Sequence, residues 1–321
     1  MEKKVWVLID DRAGSNGQAR GVAQALGWPS EEKTIVYNRW AALPNFIRGI
    51  SLIGVDKDSR QQFKPPFPDL VISASRRTAP VALWIKKKSA NKTKVVQLMH
   101  PGSFGLSLFD KVFVPEHDKG KKECENIFKI VGCAHRITPS RLKEAYEEWM
   151  PKFSNLPKPL TAVIVGGAIK GEPFRVENAE ALAQQIKEYK RQKGGSILIT
   201  TSRRTGELPQ KRIMEILQSI PSHTYLWGQD KGDNPYLGYL ACADDIVVTG
   251  DSVSMCCEAC GTGKKVMIFK GENWLTPKHN RFVASLLGKK FAQELSSAQD
   301  WSEYTAYDPS GVIAQEIKKL F

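Results

Sequence analysis

The chain has 321 residues, a length that favours two domains of roughly 150 residues each. Its hydrophobic content of 41% is that of an ordinary globular protein, and no apolar run approaches the roughly 18–20 residues of a membrane-spanning helix. The net charge of +13 is uneven, because residues 1–157 hold 26 Lys and Arg against 16 Asp and Glu. A basic half of this kind suits nucleic acid, an anionic membrane or an acidic substrate, or simply reflects solvated lysines. The sequence contains no recognition helix, RNA-binding motif or zinc finger, so nucleic acid is not the expected partner.

The N-terminus turns acidic after a short apolar run, Val5–Ile9, followed by Asp10 and Asp11. This pattern predicts a first strand rather than a signal peptide, and we expect a cytoplasmic protein. Three of the six cysteines lie close together, at positions 256, 257 and 260, with no second pair at zinc-site spacing. They are expected to pack a helix against a sheet, and neither a metal nor a cofactor is predicted.

Strands and helices alternate through the first half of the chain. The predicted strands are 5–9, 33–37, 69–75, 94–99 and 111–114, and the predicted helices are 18–26, 80–88 and 137–150. A Gly-rich turn before the first helix, with Gly14, Gly17 and Gln18, would let backbone amides approach a ligand. It lacks the spacing of a dinucleotide fingerprint. Arg76 and Arg77 follow a strand and are well placed to hold an anion, although they could equally be solvated.

Residues that could act as a general base also follow the strands of the first half. A base must lie at a strand end where a substrate hydroxyl can reach it. Asp11 is the first choice, because it ends the first strand beside the Gly-rich turn. The other candidates are His100, Glu116 and His117.

The segment from Trp40 to Ile50 carries an apolar pattern flanked by arginines at positions 39 and 48. Its apolar members are Trp40, Leu43, Phe46, Ile47 and Ile50. Burial in the core is the default interpretation. The alternative is contact with an anionic membrane, which would make the protein peripheral on the inner face of a membrane.

A polar stretch with two prolines, residues 153–159, is the best candidate linker between domains. The predicted domains are therefore 1–155 and 160–305, with a C-terminal helix in 306–321 that packs back on the body. The second half again alternates strands and helices, which implies a doubly wound parallel sheet in each half. Two such domains, with their loop-bearing edges facing across a cleft, are the expected fold.

Four loops of the second half carry groups that suit a phosphate or a hydroxyl, and all would lie at the carboxyl edge of one sheet. The last loop leads into a helix whose first turn can bind an anion, with Glu258 near enough to reach a hydroxyl of the same ligand. The alternative is that the serines at this helix start only cap the helix, because a cap has the same sequence pattern. The residues are Gly166, Gly167 and Lys170; Ser202 and Arg203; Asn234 and Tyr236; and Ser252, Ser254 and Glu258.

Three motifs together resemble the mitochondrial-fission "elongated mitochondria" family, specifically its bacterial branch. They are Asp-x-Arg-Ala-Gly at 10–14, Gly-Asp-Asn-Pro-Tyr at 232–236 and Val-Thr-Gly-Asp-Ser-Val-Ser-Met-x-x-Glu at 248–258. The likeness extends over nearly the whole chain. One departure is His100-Pro101-Gly102, where the family is expected to have an Asp-Pro-Arg-like stretch.

This resemblance implies a fold similar to the GT-B glycosyltransferases. In those folds a helix start rich in small residues binds the donor diphosphate and a Glu on the same helix holds the ribose, which matches Ser252, Ser254 and Glu258. The resemblance thus implies a metal-independent glycosyltransferase using a UDP-, GDP-, ADP- or CMP-linked sugar. The basic first half, with its Trp40–Ile50 segment, would suit an envelope or lipid-linked acceptor. Two alternatives remain open: a non-catalytic scaffold, as in recruitment of a fission GTPase, and a non-hydrolysing nucleotide-sugar epimerase.

Overall fold

The structure is a computed structural model that describes residues 2–118, 124–297 and 306–321. The chain divides into two compact units, of which the first contains Met1–Arg136 together with Asp308–Phe321 and the second contains Ile137–Tyr307. Each unit is built on one parallel sheet of six strands, so the expected pair of doubly wound sheets is confirmed. The predicted end of the second domain, at residue 305, lies outside the described residues.

The first sheet has the strand order β2-β1-β3-β4-β5-β6. Its strands are β1 (Val5–Ile9), β2 (Ser30–Thr34), β3 (Leu70–Ser73), β4 (Lys94–Leu98), β5 (Lys111–Pro115) and β6 (Ile127–Ile130). The edge strand β2 begins and ends three residues before its predicted span, and β6 was not predicted. Both are edge strands with largely exposed or partly buried side chains, so they lack the apolar run that marks the central strands.

Helices cover both faces of this sheet, because alternate side chains of each strand point to opposite faces. They are α1 (Ala13–Leu26), α2 (Asn45–Arg48), α3 (Lys57–Gln61) and α4 (Ala79–Lys88). Val5, Val7 and Ile9 pack on one face with residues of α1, whereas Trp6 and Leu8 pack on the other with residues of α4.

Helix α1 begins five residues before the predicted start at Gln18. The predicted Gly-rich turn is therefore wrong: Gly14 and Gly17 lie in the first turns of the helix, after the N-cap Arg12. Glycine is a poor helix former, and this low propensity hid the start of the helix from the sequence analysis.

The predicted core face of the Trp40–Ile50 segment is wrong for three of its five apolar residues, although Ile50 does pack against the core. Trp40, Phe46 and Ile47 are 52%, 70% and 53% exposed. Helix α2 is a single turn that buries two polar residues, Asn45 and Arg48, in place of the apolar ones. The Asn45 side-chain amide donates hydrogen bonds to the carbonyl oxygens of Arg76 (2.9 Å) and Pro101 (3.1 Å), which tethers this segment to the loops after β3 and β4.

The second sheet has the order β9-β8-β7-β10-β11-β12. Its strands are β7 (Leu160–Val165), β8 (Ser196–Thr201), β9 (Ser222–Tyr225), β10 (Asp245–Thr249), β11 (Lys265–Phe269) and β12 (Gln293–Glu294). Numbered within the unit, this is the 3-2-1-4-5-6 order of the Rossmann fold. The order reverses between β7 and β10, and ligands of such sheets bind at the carboxyl ends of the strands at that point.

The helices of the second unit are α5 (Pro139–Trp149), α6 (Val176–Lys193), α7 (Glu207–Leu217), α8 (Tyr236–Cys242), α9 (Val253–Cys260) and α10 (Pro277–Gly288). Helix α5 packs against α8, so the units divide after Arg136 rather than in the 153–159 stretch. Within that stretch Phe153 is 1% exposed and its ring contacts those of His223 and Tyr239.

The last helix, α11 (Pro309–Lys318), packs on α1 of the first unit. Ser310 fixes it there: its hydroxyl donates to the carbonyl oxygen of His135 (2.6 Å) and accepts from the His135 amide (3.0 Å). Short 3-10 helices occur at Arg39–Ala42, Leu106–Leu108, Met150–Phe153 and Leu295–Ser297. Among the described residues, no helix combines the length and apolar character needed to cross a bilayer.

Candidate functional site

Asp10 organises the carboxyl edge of β1 in the first unit. It is 6% exposed, and its carboxylate accepts hydrogen bonds from the Ser75 hydroxyl (2.8 Å) and the Arg12 amide (2.9 Å). Asn16 bonds both backbone groups of Asp10, donating to the carbonyl oxygen (2.6 Å) and accepting from the amide (3.1 Å). The strand end and the start of α1 are therefore held together by a network of polar groups.

Arg77 completes this edge from the neighbouring strand. Its guanidinium pairs with the Asp11 carboxylate, lies 3.8 Å from that of Asp10, and stacks 5.0 Å from the centre of the Tyr37 ring. Arg76 is exposed, in contrast. Asp11 is 73% exposed at its side chain, so the sequence-predicted base is accessible but paired with a cation.

The other residues predicted for the first unit lie in two kinds of environment. His100 is partly buried, and its Nδ1 accepts a hydrogen bond from the Gly102 amide (3.1 Å). His117 is only 3% exposed. Gln18 lies on α1 and is buried, with its amide 3.8 Å from the sulfur of Met99. The remaining candidate, Glu116, follows β5 and is partly buried.

In the second unit, the space around Gly166 and Gly167 at the end of β7 is already filled by protein. A Cβ at Gly166 would lie 2.2 Å from a carboxylate oxygen of Asp251, and a Cβ at Gly167 would lie 2.0 Å from the carbonyl carbon of Arg204. Close packing of neighbouring loops therefore accounts for these glycines, and the approach of a phosphate to them stays a prediction. Lys170, further along the same loop, is exposed.

Asp251 is the residue that fills this space. It is 3% exposed and accepts hydrogen bonds from the Gly167 amide (2.9 Å) and the Thr249 hydroxyl (2.7 Å), and it pairs with the Arg204 guanidinium (2.9 Å). Burial raises the pKa of Asp251, an effect that the Thr249 hydrogen bond and the Arg204 charge oppose. We define Gly166, Gly167, Arg204, Thr249 and Asp251 as the Asp251 hub.

Ser202 and Arg203, in the loop after β8, differ in their surroundings: Ser202 is partly buried and Arg203 is exposed. The Ser202 hydroxyl donates to the Gly166 carbonyl oxygen (2.6 Å), so it is engaged within the protein. Arg203 is exposed and lines a cavity of about 360 Å³ beside Trp227 and Gln229. Arg203 was predicted as a site residue and Arg204 was not, although Arg204 is the arginine that pairs with Asp251.

The start of α9 lies directly after the hub. Ser252 is its N-cap, and the Ser252 hydroxyl accepts a hydrogen bond from the Met255 amide (3.4 Å). Ser254 and Glu258 are partly buried on the same helix. The predicted N-cap role of Ser252 is confirmed.

Glu258 accepts a hydrogen bond from the Tyr236 hydroxyl (2.5 Å), which joins α9 to the first residue of α8. Burial raises the pKa of Glu258, whereas the Tyr236 hydrogen bond and the charge of Arg141 lower it. Asn234 turns the loop before α8, since its side-chain oxygen accepts from the Tyr236 amide (3.0 Å). Two residues predicted from separate motifs, Tyr236 and Glu258, are thus in direct contact.

One tetrapeptide occurs twice in the chain, once in each unit. Ser-Arg-Arg-Thr occurs at 75–78 after β3 and again at 202–205 after β8. In both copies the threonine hydroxyl accepts a hydrogen bond from the serine amide, at 3.2 Å in the first and 2.9 Å in the second. The repeat was visible in the sequence, and it would have pointed to Arg204 as the counterpart of Arg77.

Groups of three or more His, Cys, Asp or Glu side chains that could hold a metal ion are absent from residues 2–118, 124–297 and 306–321. The cysteines at 256, 257 and 260 are buried and form no disulfide. The groups available to a ligand at this edge of the second unit are thus the N-terminus of α9, the Glu258 carboxylate and the exposed side chains of Lys170 and Arg203.

Two solved structures share the fold over nearly the whole chain. UDP-GlcNAc 2-epimerase from Methanocaldococcus jannaschii has a TM-score of 0.54 with 14% identity, covering 99% of both chains. The catalytic domain of starch synthase IV from Arabidopsis thaliana, bound to ADP and acarbose, has a TM-score of 0.52 with 11% identity, covering 100% of this chain and 99% of the other. At these identities the likeness establishes the GT-B type of fold and nothing finer.

Sequence relatives give a closer assignment. The Uncharacterized protein RP120 of Rickettsia prowazekii is 30% identical, and the match covers 98% of this chain and 96% of that protein. The mitochondrial fission protein ELM1 of Arabidopsis thaliana is 29% identical over 83% of this chain and 66% of its own length. The model described as "Mitochondrial fission ELM1" matches residues 13–321. The chain therefore belongs to the mitochondrial fission ELM1 family, as its three motifs suggested.

Proposed function

We propose that this chain is a metal-independent glycosyltransferase that takes a sugar from a UDP-, GDP-, ADP- or CMP-linked donor. The observation that carries the proposal is the Glu258–Tyr236 pair on α9 and α8, next to the reversal of strand order between β7 and β10. Ligands of doubly wound sheets bind at such a point. The fold likeness to an epimerase of UDP-GlcNAc and to an ADP-bound starch synthase supports a nucleotide-linked donor.

The donor diphosphate would bind at the start of α9, where the helix dipole and backbone amides favour negative charge. Ser252 and Ser254 lie in that first turn, and Arg203 or Lys170 would add positive charge as the diphosphate leaves. Glu258 would accept hydrogen bonds from the ribose hydroxyls while Tyr236 holds its carboxylate in position. Asn234 would lie near the base or the ribose. The Asp251 hub would position this edge rather than touch the donor.

The first unit would supply the acceptor side, with Gly14, Gly17 and Gln18 on α1 and Arg76 and Arg77 after β3. Transfer requires a base for the acceptor hydroxyl. Because His117 is 3% exposed, a substrate hydroxyl does not reach it, and Asp11 and His100 are the better candidates. The acceptor would be an envelope or lipid-linked molecule met at the inner face of a membrane.

The proposal is tested by nucleotide binding to the full chain. UDP, GDP, ADP and CMP are added at millimolar concentration and the melting temperature is measured. A ligand at about 100 times its Kd adds about 2.7 kcal/mol to the free energy of unfolding. One of the four nucleotides should raise the melting temperature, and Glu258→Gln should abolish most of that rise without changing the fold. Glu177→Gln, at an exposed glutamate of α6, is the matched control.

A second candidate function is supported by the likeness to the Methanocaldococcus epimerase. A non-hydrolysing epimerase converts the sugar nucleotide without an acceptor, so incubation with UDP-GlcNAc alone distinguishes the two enzymes. A new sugar nucleotide in that mixture would favour the epimerase. If no nucleotide binds at all, both enzymatic proposals fail, and a scaffold role, as the name of the Arabidopsis fission protein suggests, takes their place.

A further inference from the structure

Two segments of the first unit contain basic residues but no acidic ones. Residues 39–54 and 76–108 together hold nine Lys and Arg and no Asp or Glu. Three of the nine, Arg77, Lys86 and Lys94, pair with Asp11 or Asp110 from outside these segments, and the other six include Arg76 and Lys87. The Asn45 amide joins the two segments through the carbonyl oxygens of Arg76 and Pro101. We call their common surface the acid-free face.

Large apolar side chains protrude from this face. Phe46 and Ile47 on α2 are 70% and 53% exposed, and Phe104 and Leu108 are 37% and 43% exposed. A soluble protein rarely exposes several large apolar side chains together unless they meet a partner. Their position explains why Phe46 and Ile47 of the 40–50 segment do not contribute to the core.

Two cavities open on the acid-free face, and each combines apolar walls with a basic side chain. The first, of about 490 Å³, lies between Phe46, Phe104 and Arg76. The second, of about 350 Å³, lies between Ile50, Leu108 and Lys87. A lipid with an apolar chain and an anionic headgroup would match these cavities, because the chain would contact the apolar walls and the headgroup the basic side chain.

We propose that the acid-free face docks on an anionic lipid bilayer. Phe46, Ile47, Phe104 and Leu108 enter the interface, and Arg76 and Lys87 contact lipid phosphates. Interfacial binding of this kind requires apolar insertion together with basic groups, and the face supplies both. A second copy of the chain is a poorer occupant, since a symmetric contact would bring two basic surfaces together. This inference does not depend on the nucleotide site of the second unit.

The apolar part is tested by sedimenting the full chain with vesicles of phosphatidylcholine, alone or mixed with phosphatidylglycerol. The wild type should bind the mixed vesicles and not the neutral ones. Phe46→Ser with Ile47→Ser should weaken binding by roughly tenfold or more, because two apolar side chains no longer insert. Leu208→Ser is the matched control, since Leu208 is also 70% exposed but lies on α7 of the second unit.

The basic part is tested with Arg76→Gln combined with Lys87→Gln. Loss of two charges near an anionic surface should weaken binding by roughly tenfold or more at low salt. Lys187→Gln with Lys211→Gln, at exposed lysines of the second unit, should leave binding unchanged. Each variant is also assayed for its nucleotide-induced change in melting temperature, so failure of docking and failure of the donor site are read separately.

Three results would overturn the proposal. If the wild-type protein does not sediment with the vesicles that contain phosphatidylglycerol, the acid-free face does not dock on an anionic bilayer. Binding that survives the Phe46 and Ile47 changes but disappears with salt indicates a general polyanion surface, such as one for nucleic acid. A dimer in solution that the same two changes dissociate, without vesicle binding, indicates that a second copy covers the face.

Discussion

The same tetrapeptide, Ser-Arg-Arg-Thr, builds a loop in each unit, and the two loops differ in what surrounds them. In both, the first arginine is exposed and lines a cavity, as Arg76 and Arg203 do. In both, the second arginine pairs with an aspartate. Arg77 has two carboxylates nearby, those of Asp10 and Asp11. Arg204 has Asp251, which follows β10 on the far side of β7.

This difference in geometry explains the glycines of the second unit. To reach Asp251 from the end of β8, Arg204 must cross the end of β7, where a side chain at position 166 or 167 would collide with the pair. In the first unit Arg77 meets a neighbouring strand and crosses nothing. Both aspartates are buried, with side chains 1% and 0% exposed at Asp10 and Asp251. Arg77 has both Asp10 and Asp11 nearby whereas Arg204 pairs with Asp251, so the stability effects of equivalent substitutions should differ.

Asp251→Ala should give the largest effect. It removes the acceptor for the Gly167 amide, the Thr249 hydroxyl and the Arg204 guanidinium, of which the first two are buried. Leaving these two buried donors without an acceptor costs roughly 3 kcal/mol or more. Asp10→Ala should cost roughly 1–2 kcal/mol, because Arg77 keeps Asp11. Calorimetric melting measures both effects, and hydrogen exchange of residues 245–260 and 5–22 assigns each to its unit.

Equal losses for the two alanine variants would contradict the comparison. They would mean that the two aspartates contribute equally to the free energy of unfolding, and that the contact of Arg204 with Asp251 across β7 gives no extra stability. Exchange protection that drops in the unit without the substitution would also count against it, because each network lies within one unit.

The pH dependence of stability should report the burial of Asp251 directly. Burial raises the pKa of this carboxyl group, so the folded protein holds the proton more tightly than the unfolded chain does. The stabilisation that results is fully present below the unfolded pKa and declines as pH rises through the folded one. The free energy of unfolding of wild type minus that of Asp251→Asn should therefore fall as pH increases from about 4. Asp233→Asn, at an exposed loop residue, is the reference, and a difference that rises with pH would contradict this account.

Much of the fold could be predicted from the sequence, because central parallel strands contain continuous apolar runs such as Val5–Ile9 and residues 246–248. Edge strands such as β2 lack that signal. The exposure of Phe46 and Ile47 could not be predicted, because the apolar spacing of residues 40–50 is the same whether the side chains enter a core or remain exposed. The spacing of apolar residues thus identifies an apolar face, but it does not show whether the protein core or another molecule covers that face.

The candidate site was predicted less completely. The Tyr236–Glu258 contact joins two motifs that were each recognised, so both residues were found. The Arg204–Asp251 pair was not predicted, because the two residues are 47 positions apart in the sequence and only the strand order brings them together. Gly166 and Gly167 were interpreted as ligand contacts, since a glycine required by protein packing looks the same in the sequence as one required by a ligand.

The smallest expected effect is at Gly17, and it distinguishes the two kinds of glycine. A Cβ at Gly17 would meet nothing within 4 Å, and the residue lies inside α1, so Gly17→Ala should stabilise the protein by about 0.5–1 kcal/mol. Gly167→Ala should instead destabilise it, because the added Cβ would collide with the backbone of Arg204. Both are measured as melting temperatures. If the open space at Gly17 belongs to the acceptor, Gly17→Ala should also slow transfer while the protein becomes more stable. A variant that gains stability and keeps full transfer would show that the acceptor binds elsewhere.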